Sequence, residues 1–319
     1  EATGVVTHLA FGCECGTLEP LRSAADCLDG PSYPGALRRV LTGGGSFAAA
    51  RQTAVRELAG AAADCLSRPN DILAVEYLRA LKALGSGIIP LALPRVGAGH
   101  DSGEESDVPS ASAIREKILT GGDWRRGLPE TSAAILSREM EAGRAPVVWR
   151  RCERAILARL RSMGEEELRP YDGGREGLYH RFYAAIRRET DVEGILAAVK
   201  TKRYPLARLR RMLLQAYLGV PQAGQGETPP YLRVLGAGSR GRALLGRMRE
   251  AAALPVLVKP AQVRRLGGEA RRVFEQEARC TGLYVLGCPD LGQARPDSEY
   301  AGRPVMAPGA PLYKESDAV

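Results

Sequence analysis

The sequence predicts an α/β domain built on a parallel sheet, followed by a helical domain and a small mixed region. Three observations predict it. Two apolar, strand-like runs, residues 5–11 and 87–95, are separated by helical patterns, the rhythm of parallel strands joined by helical crossovers. From Pro129 to Val220 one amphipathic pattern follows another with no convincing strand between them. Residues 230–290 then return to mixed character. The corresponding domains are 1–128, 129–222 and 223–319.

Taken in order, "GVVTHLAFG" enters a strand that Gly12 ends at a loop, and "LEPLRSAADCL" reads as a helix. Residues 34–41 are amphipathic, and "GGGSFAAARQTAVRELAGAAADCL" is a longer helix with Ser46 placed to cap it. In "RPNDILAVEYLRALKAL", Pro69 blocks helix upstream, Asn70 can cap, and Asp71 suits the positive end of the dipole. Leu73, Tyr77, Leu81 and Leu84 then mark one buried face. "GIIPLALPR" is a short strand leading to Arg95, and a Gly-rich polar loop runs from there to the helix of "SASAIREKIL". Later helical patterns fall at 131–141, 146–163, 177–189, 191–200 and 204–218. In the last of these, Leu206, Leu209, Leu213 and Tyr217 turn inward. "YLRVLGAG" and "PVLVK" read as strands around the helix "SRGRALLGRMREAAA", and the tail is Pro-rich.

Composition narrows the function classes. Hydrophobic residues make up 45% of the 319, enough to bury a core, which excludes wholesale disorder. The net charge of +8 points to a polyanionic partner or to a basic, Arg-preferring proteome. Seven cysteines, an odd number with no C-x-x-C pair, argue against a disulfide framework and a zinc site, so no metal site is expected and Cys13 and Cys15 read as ordinary thiols. No apolar run reaches the roughly 18 residues of a membrane span, and no signal-peptide pattern opens the chain. The expectation is a soluble, cytoplasmic protein. The chain starts at Glu1 and enters a strand almost at once, so a true N-terminus is expected to be missing.

Candidate ligand residues gather where α/β folds bind ligands, beyond the carboxyl ends of strands. Gly12 could permit close backbone approach or make a turn. Arg95 follows directly on an apolar strand. The start of the helix at 110–115 offers unpaired N–H groups, the hydroxyls of Ser110 and Ser112, and Arg115 one turn in; phosphate binding and plain capping both fit it. There is no G-x-x-x-x-G-K-[ST], which excludes a P-loop nucleotide site, and His8, His100 and His180 share no metal-like spacing. In "KTKRYPLARLRR", Lys200, Lys202, Arg203, Arg208, Arg210 and Arg211 occur without an acid, and no Asp or Glu lies between Glu193 and Glu227. Arg181, Arg187 and Arg188 add to the same region, the pattern of a surface that tracks a phosphate backbone.

"FGCECG", "RPNDILAVEYLRAL", "LPRVGAGHDS", "SASAIREKI", "GLYHRFYAAIRR" and "KTKRYPLARLRRMLL" occur in an order that resembles the bacterial tRNA(Met) cytidine acetate ligases. The resemblance covers most of residues 5–260. It implies a Rossmann-like nucleotidyltransferase domain, here N-terminally incomplete, and then a helical domain. It implies that ATP and acetate form acetyl-adenylate with Mg²⁺ bridging the phosphates, and that the acetyl group passes to the wobble cytidine of elongator tRNA(Met). By motif match Gly12, Asn70 and Arg95 would contact ATP, and Ser112 and Arg115 would hold its phosphates. Lys200, Lys202, Arg203, Arg208, Arg211, Arg181 and Arg188 would face tRNA. The family's H-x-G-H is absent from these 319 residues, so little acetyl-adenylate is expected from this chain alone. Two other readings stay open: an adenylyltransferase acting on a small molecule, and a chain that only binds tRNA.

Overall fold

The structure is a computed structural model that describes residues 1–44, 46–95, 109–173, 177–201, 204–222 and 228–307. Lys202, Arg203 and the loop residues 96–108, His100 among them, lie outside the described residues. The chain divides into two compact units, residues 3–128 and 129–319.

The first unit contains β1 (His8–Cys13), α1 (Glu19–Asp29), α2 (Tyr33–Thr42), α3 (Phe47–Ala59), α4 (Pro69–Ala83), β2 (Ile89–Pro94) and α5 (Ala111–Thr120). β1 and β2 pair in parallel, with Ala10 opposite Leu91 and Gly12 opposite Leu93. The intervening helices form the crossover, as parallel neighbours require. β1 runs through Gly12 to Cys13, so Gly12 does not end it: it keeps its ladder place opposite Leu93. Leu9, Phe11 and Cys13 face the helices, while Ile89, Leu91 and Leu93 occupy the opposite, exposed face.

The core beneath the sheet mixes small side chains with Phe11, Leu21, Leu28, Leu66 and Leu78. Ala24 and Ala25 of α1, Ala62 and Ala63 of the 3-10 segment Gly60–Ser67, and Ala74 of α4 are all buried. Small side chains bring helix backbones close, and α1 packs on α4 and on the 3-10 segment. That packing overturns the expected face of α4. Leu73, Tyr77 and Leu84 are exposed; Asp71, Ala74, Val75 and Leu78 are buried. The stripe is rotated because alanines let α4 approach where leucines would hold it off. Ser46 caps α3, its hydroxyl accepting from Ala49 N at 3.2 Å. The longer helix expected there breaks at Gly60, whose φ of +57° ends the α-helix and starts the 3-10 segment.

The second unit begins with α6 (Glu130–Glu141), α7 (Glu153–Ser162), α8 (Glu165–Leu168), α9 (Leu178–Arg188), α10 (Val192–Val199) and α11 (Leu206–Leu218). Its core is bulkier: Ile156, Leu160, Phe182, Ile186, Ile195, Leu196 and Leu209 are almost fully buried. The inward face expected for α11 is found, with Leu209, Leu213 and Tyr217 buried and Leu206 packed beside them. The rest of the unit holds β3 (Leu232–Arg233), β4 (Gly236–Ala237), α12 (Ser239–Ala251), β5 (Val256–Leu257), α13 (Gly268–Tyr284), α14 (Ser298–Ala301) and β6 (Val305–Met306). The strands form two short parallel pairs, β3 with β5 and β4 with β6. "YLRVLGAG" thus supplies two two-residue strands rather than one. Tyr217 Oη donates to Leu283 O at 3.2 Å, tying α11 to α13. Among the described residues, no helix is long and apolar enough to cross a membrane.

Candidate functional site

The carboxyl ends of β1 and β2 and the N-terminus of α4 meet in one neighbourhood. Arg95 leaves β2 with its N–H donating to Cys13 O at 2.9 Å, which carries the ladder one residue past the strand. Its side chain crosses Gly12: a Cβ placed on Gly12 would meet Arg95 Cγ at 3.2 Å. Glycine here is therefore a matter of room for the arginine.

Glu14, two residues on, joins this strand end to α4. Its Oε1 accepts from Asn70 Nδ2 at 2.7 Å, and its Oε2 accepts from Asn70 N and Asp71 N, both at 3.2 Å. Asp71 replies: its Oδ1 accepts from Glu14 N at 2.6 Å and Cys15 N at 3.2 Å. Two acids thus satisfy each other's backbone donors across 57 residues of sequence. The free N–H groups of a helix start attract carboxylate as they attract phosphate, and Glu14 fills that role at α4. Asn70 is therefore not the cap; Arg68 is the cap residue, Pro69 opens the helix, and Asn70 sits inside the first turn. A carboxylate only accepts, so the Asn70 amide must turn its NH₂ toward Glu14.

Cys15 lies beside this clasp. Burial first, then Asp71, Cys65 and Cys13 as negative or potentially negative neighbours, push its thiol up to about 12, against the opposing pull of the Thr17 backbone. Burial and Asp71 raise the Cys65 thiol too. Neither Cys15 nor Cys65 is set up as a nucleophile at neutral pH.

Ser112 and Arg115 lie on α5. Ser110 is the cap, accepting from Ala113 N at 3.2 Å, and Arg115 Nη2 donates to Ser112 Oγ at 3.3 Å. The Arg115–Ser112 pair faces solvent. A side chain at Gly127 would meet Pro109 and Ile114 at 2.9 Å, so the described contacts of α5 are with the turn that follows it. The structure thus joins Gly12, Glu14, Asn70 and Arg95; Ser112 and Arg115 form their own pair.

In the second unit the arginines sort into two groups. Arg187 donates to Arg161 O at 2.8 Å and Met163 O at 2.7 Å and stacks on Tyr183, holding α7 to α9. Arg208 is tied to the buried Asp172 at 3.4 Å and lies over Tyr204. Arg188 pairs with Glu189 at 3.0 Å but stays largely exposed. Arg181, Lys200 and Arg211 are exposed and carry no ion pair among the described residues.

Residues 1–298 match the family described as HIGH Nucleotidyl Transferase. A tRNA(Met) cytidine acetate ligase of Syntrophomonas wolfei is 32% identical, over 96% of this chain and 78% of that protein. The chain belongs to the tRNA(Met) cytidine acetate ligase family. A second such ligase, from Caldanaerobacter subterraneus, is 33% identical over 88% of this chain and 72% of that protein. The Thermotoga maritima TmcAL structure without ligand superposes with a TM-score of 0.87 at 28% identity, over 96% of this chain and 78% of that one. The same protein bound with alpha-thio ATP gives 0.86 at 27% identity, with the same coverage. Membership places the chain in a ligase family and its fold in the nucleotidyltransferase-like α/β class.

Sequence reasoning missed Glu14. The available signal was an acid one residue past a strand end together with a helix start rich in unpaired N–H groups, but nothing local linked the two.

Proposed function

We propose that this chain is the ATP-dependent acetate ligase that forms N4-acetylcytidine at the wobble position of elongator tRNA(Met). Acetate attacks the α-phosphate of ATP, a new C–O–P link forms, and pyrophosphate departs with the electron pair of the broken bond. The acetyl-adenylate then loses AMP as the exocyclic amine of cytidine takes the acetyl carbon and gives up a proton. The observation that carries this reading is the convergence of Gly12, Asn70 and Arg95 at two strand ends, with the Glu14 clasp holding Asn70. Arg95 stands where a cation would offset charge growing on the phosphates, and such preorganised charge is the main lever in phosphate chemistry. Asn70 Oδ1 suits a donor such as the adenine amine or a ribose hydroxyl. Both oxygens of Glu14 are occupied, so Mg²⁺ in this reading arrives on the ATP phosphates as part of the co-substrate. Ser112 and Arg115 act on those same phosphates.

Arg181, Lys200 and Arg211 face tRNA in this reading, together with Arg188 and Arg208; Lys202 and Arg203, outside the described residues, are assigned to the same role from the sequence alone. A tRNA substrate puts the protein in the cytoplasm.

The test is acetate-dependent pyrophosphate exchange into ATP, run on the 319-residue chain and on a form with an H-x-G-H-bearing strand supplied ahead of Glu1. Exchange in the second form, abolished by Arg95→Ala with tRNA affinity kept, is the expected result. ATP turnover independent of acetate would favour a small-molecule adenylyltransferase. Salt-sensitive tRNA binding with no exchange in either form would leave only RNA binding.

A further inference from the structure

Beneath the Glu14 clasp lies a cluster that the ligase reading does not use. Cys13 Sγ, Cys15 Sγ and a carboxylate oxygen of Asp71 all lie within 4.8 Å of one another. Cys65, near the end of the 3-10 segment, is 2% exposed and lies near enough to Cys15 for each thiol to raise or lower the other's ionisation. We propose that Cys13, Cys15, Cys65 and Asp71 form a binding site for one thiophilic divalent cation of the zinc class.

Three features carry this beyond a group of packed thiols. The first is the donor set: three sulfurs and one carboxylate match a closed tetrahedral site, with metal–sulfur bonds of about 2.3 Å and metal–oxygen bonds of about 2.0–2.2 Å. Such bonds place ligand atoms roughly 3.5–3.8 Å apart. The ligand atoms of Cys13, Cys15 and Asp71, already within 4.8 Å of one another, need only small rotations to close on an ion, and Cys65 Sγ, outside that group, would turn in as the fourth ligand.

The second is an orphaned atom. Asp71 is completely buried, and its Oδ2 accepts no hydrogen bond. Its nearest cation is Arg68 Nη1 at 3.6 Å, on a side chain that is 45% exposed. A buried carboxylate oxygen without a hydrogen bond is costly unless something else satisfies it, and a bound cation would do so.

The third is preorganisation. Asp71 Oδ1 is held by Glu14 N and Cys15 N, which fixes the orientation of the carboxylate and leaves Oδ2 as the oxygen without a hydrogen bond. The ligands come from β1, the loop after it, the 3-10 segment and α4, so one ion would fasten the elements that carry Gly12, Glu14 and Asn70. The spacing escapes a search for C-x-x-C because the pair is C-x-C and the other ligands lie about 50 residues on, joined only by the fold.

The proposal stands apart from the acetylation reading, because its test reads metal and not turnover. The full chain, reduced and stripped by chelator, is titrated with Co²⁺ and then with Zn²⁺. The expected result is one Co²⁺ per chain, with thiolate-to-cobalt charge transfer and the visible bands of tetrahedral cobalt, and stoichiometric displacement by Zn²⁺. Cys15→Ser and Cys65→Ser should each weaken binding about tenfold or more and remove about one third of the charge-transfer intensity, one thiolate in three. Cys27→Ser and Cys280→Ser should leave both unchanged. Asp71→Asn keeps the Oδ1 bonds and should weaken binding without unfolding the chain. As a readout free of variants, Zn²⁺ should raise the melting temperature of the unaltered protein. A cobalt spectrum without charge transfer, full intensity in both Cys15→Ser and Cys65→Ser, or a melting temperature indifferent to Zn²⁺ would overturn the proposal.

Discussion

Replacing Asp71 tests the clasp between the strand end and α4. Asp71→Ala removes the acceptor for Glu14 N and Cys15 N, held at 2.6 and 3.2 Å. A buried donor left unpaired costs about 1–3 kcal/mol. Both residues are only half-buried, so water offsets part of the loss, and about 3 kcal/mol for the two together is expected. Asp71→Asn keeps an oxygen at Oδ1 and places its NH₂ where Oδ2 accepts no hydrogen bond. It gives up charge assistance and the 3.6 Å approach of Arg68 and buries an NH₂ without an acceptor, so a loss of about 1–2 kcal/mol, smaller than for Ala, is expected. The assay is urea unfolding in chelator, followed by the fluorescence of Trp124. The chain has two tryptophans, so a Trp149→Phe background leaves Trp124, buried in the first unit, as the sole reporter. A loss of about 3 kcal/mol lowers the midpoint by roughly 1–3 M urea. If Asn costs as much as Ala, or if Ala costs under about 1 kcal/mol, the clasp does not hold α4 in the way argued.

Gly12→Ala should leave stability within about 0.5 kcal/mol yet lower ATP affinity severalfold, because the new methyl meets Arg95 Cγ at 3.2 Å; unchanged ATP binding by titration would detach Gly12 from the site. Replacing Arg181, Lys200 and Arg211 together by Gln should reduce the salt dependence of tRNA binding by roughly 0.7–0.9 in log–log slope for each phosphate no longer neutralised, with ATP affinity kept. Filter binding across a salt series decides it, and an unaltered slope removes these three from the interface. Arg144 and then Arg138 hold the Glu139 carboxyl at about 2, below its ordinary 4.5. A depressed folded value stabilises above 4.5, and that contribution fades as pH falls toward 2. Glu139→Gln should flatten the acid limb of the melting temperature over that window. The pair is a surface one, so the gain is under about 1 kcal/mol and shrinks with salt; an identical acid limb in the variant refutes the assignment.

What the sequence made legible had local causes. Short apolar runs disclosed β1 and β2, and hydroxyls at helix starts disclosed the caps Ser46 and Ser110. The α11 face was legible because its buried residues are large and regularly spaced. The α4 face was not, because Ala74 and Asp71 carry its packing while Leu73 and Tyr77 look outward. Gly12, Asn70 and Arg95 were legible as a group of ATP contacts by their motifs, but the clasp that ties Asn70 to the strand end runs through Glu14, 56 residues away in sequence, and had no local signal. The 17-residue helix α13 also went unassigned, its apolar positions scattered among charged and amide side chains.

The alanine-lined interior of the first unit has a thermal consequence. The heat-capacity increment of unfolding follows the apolar surface released, at about 0.45 cal/K per mole for each Å². Ala24, Ala25, Ala62, Ala63 and Ala74 release little, whereas Phe182, Ile156 and Leu196 of the second unit release much more. Residue for residue, the free-energy dome of the first unit is the flatter one.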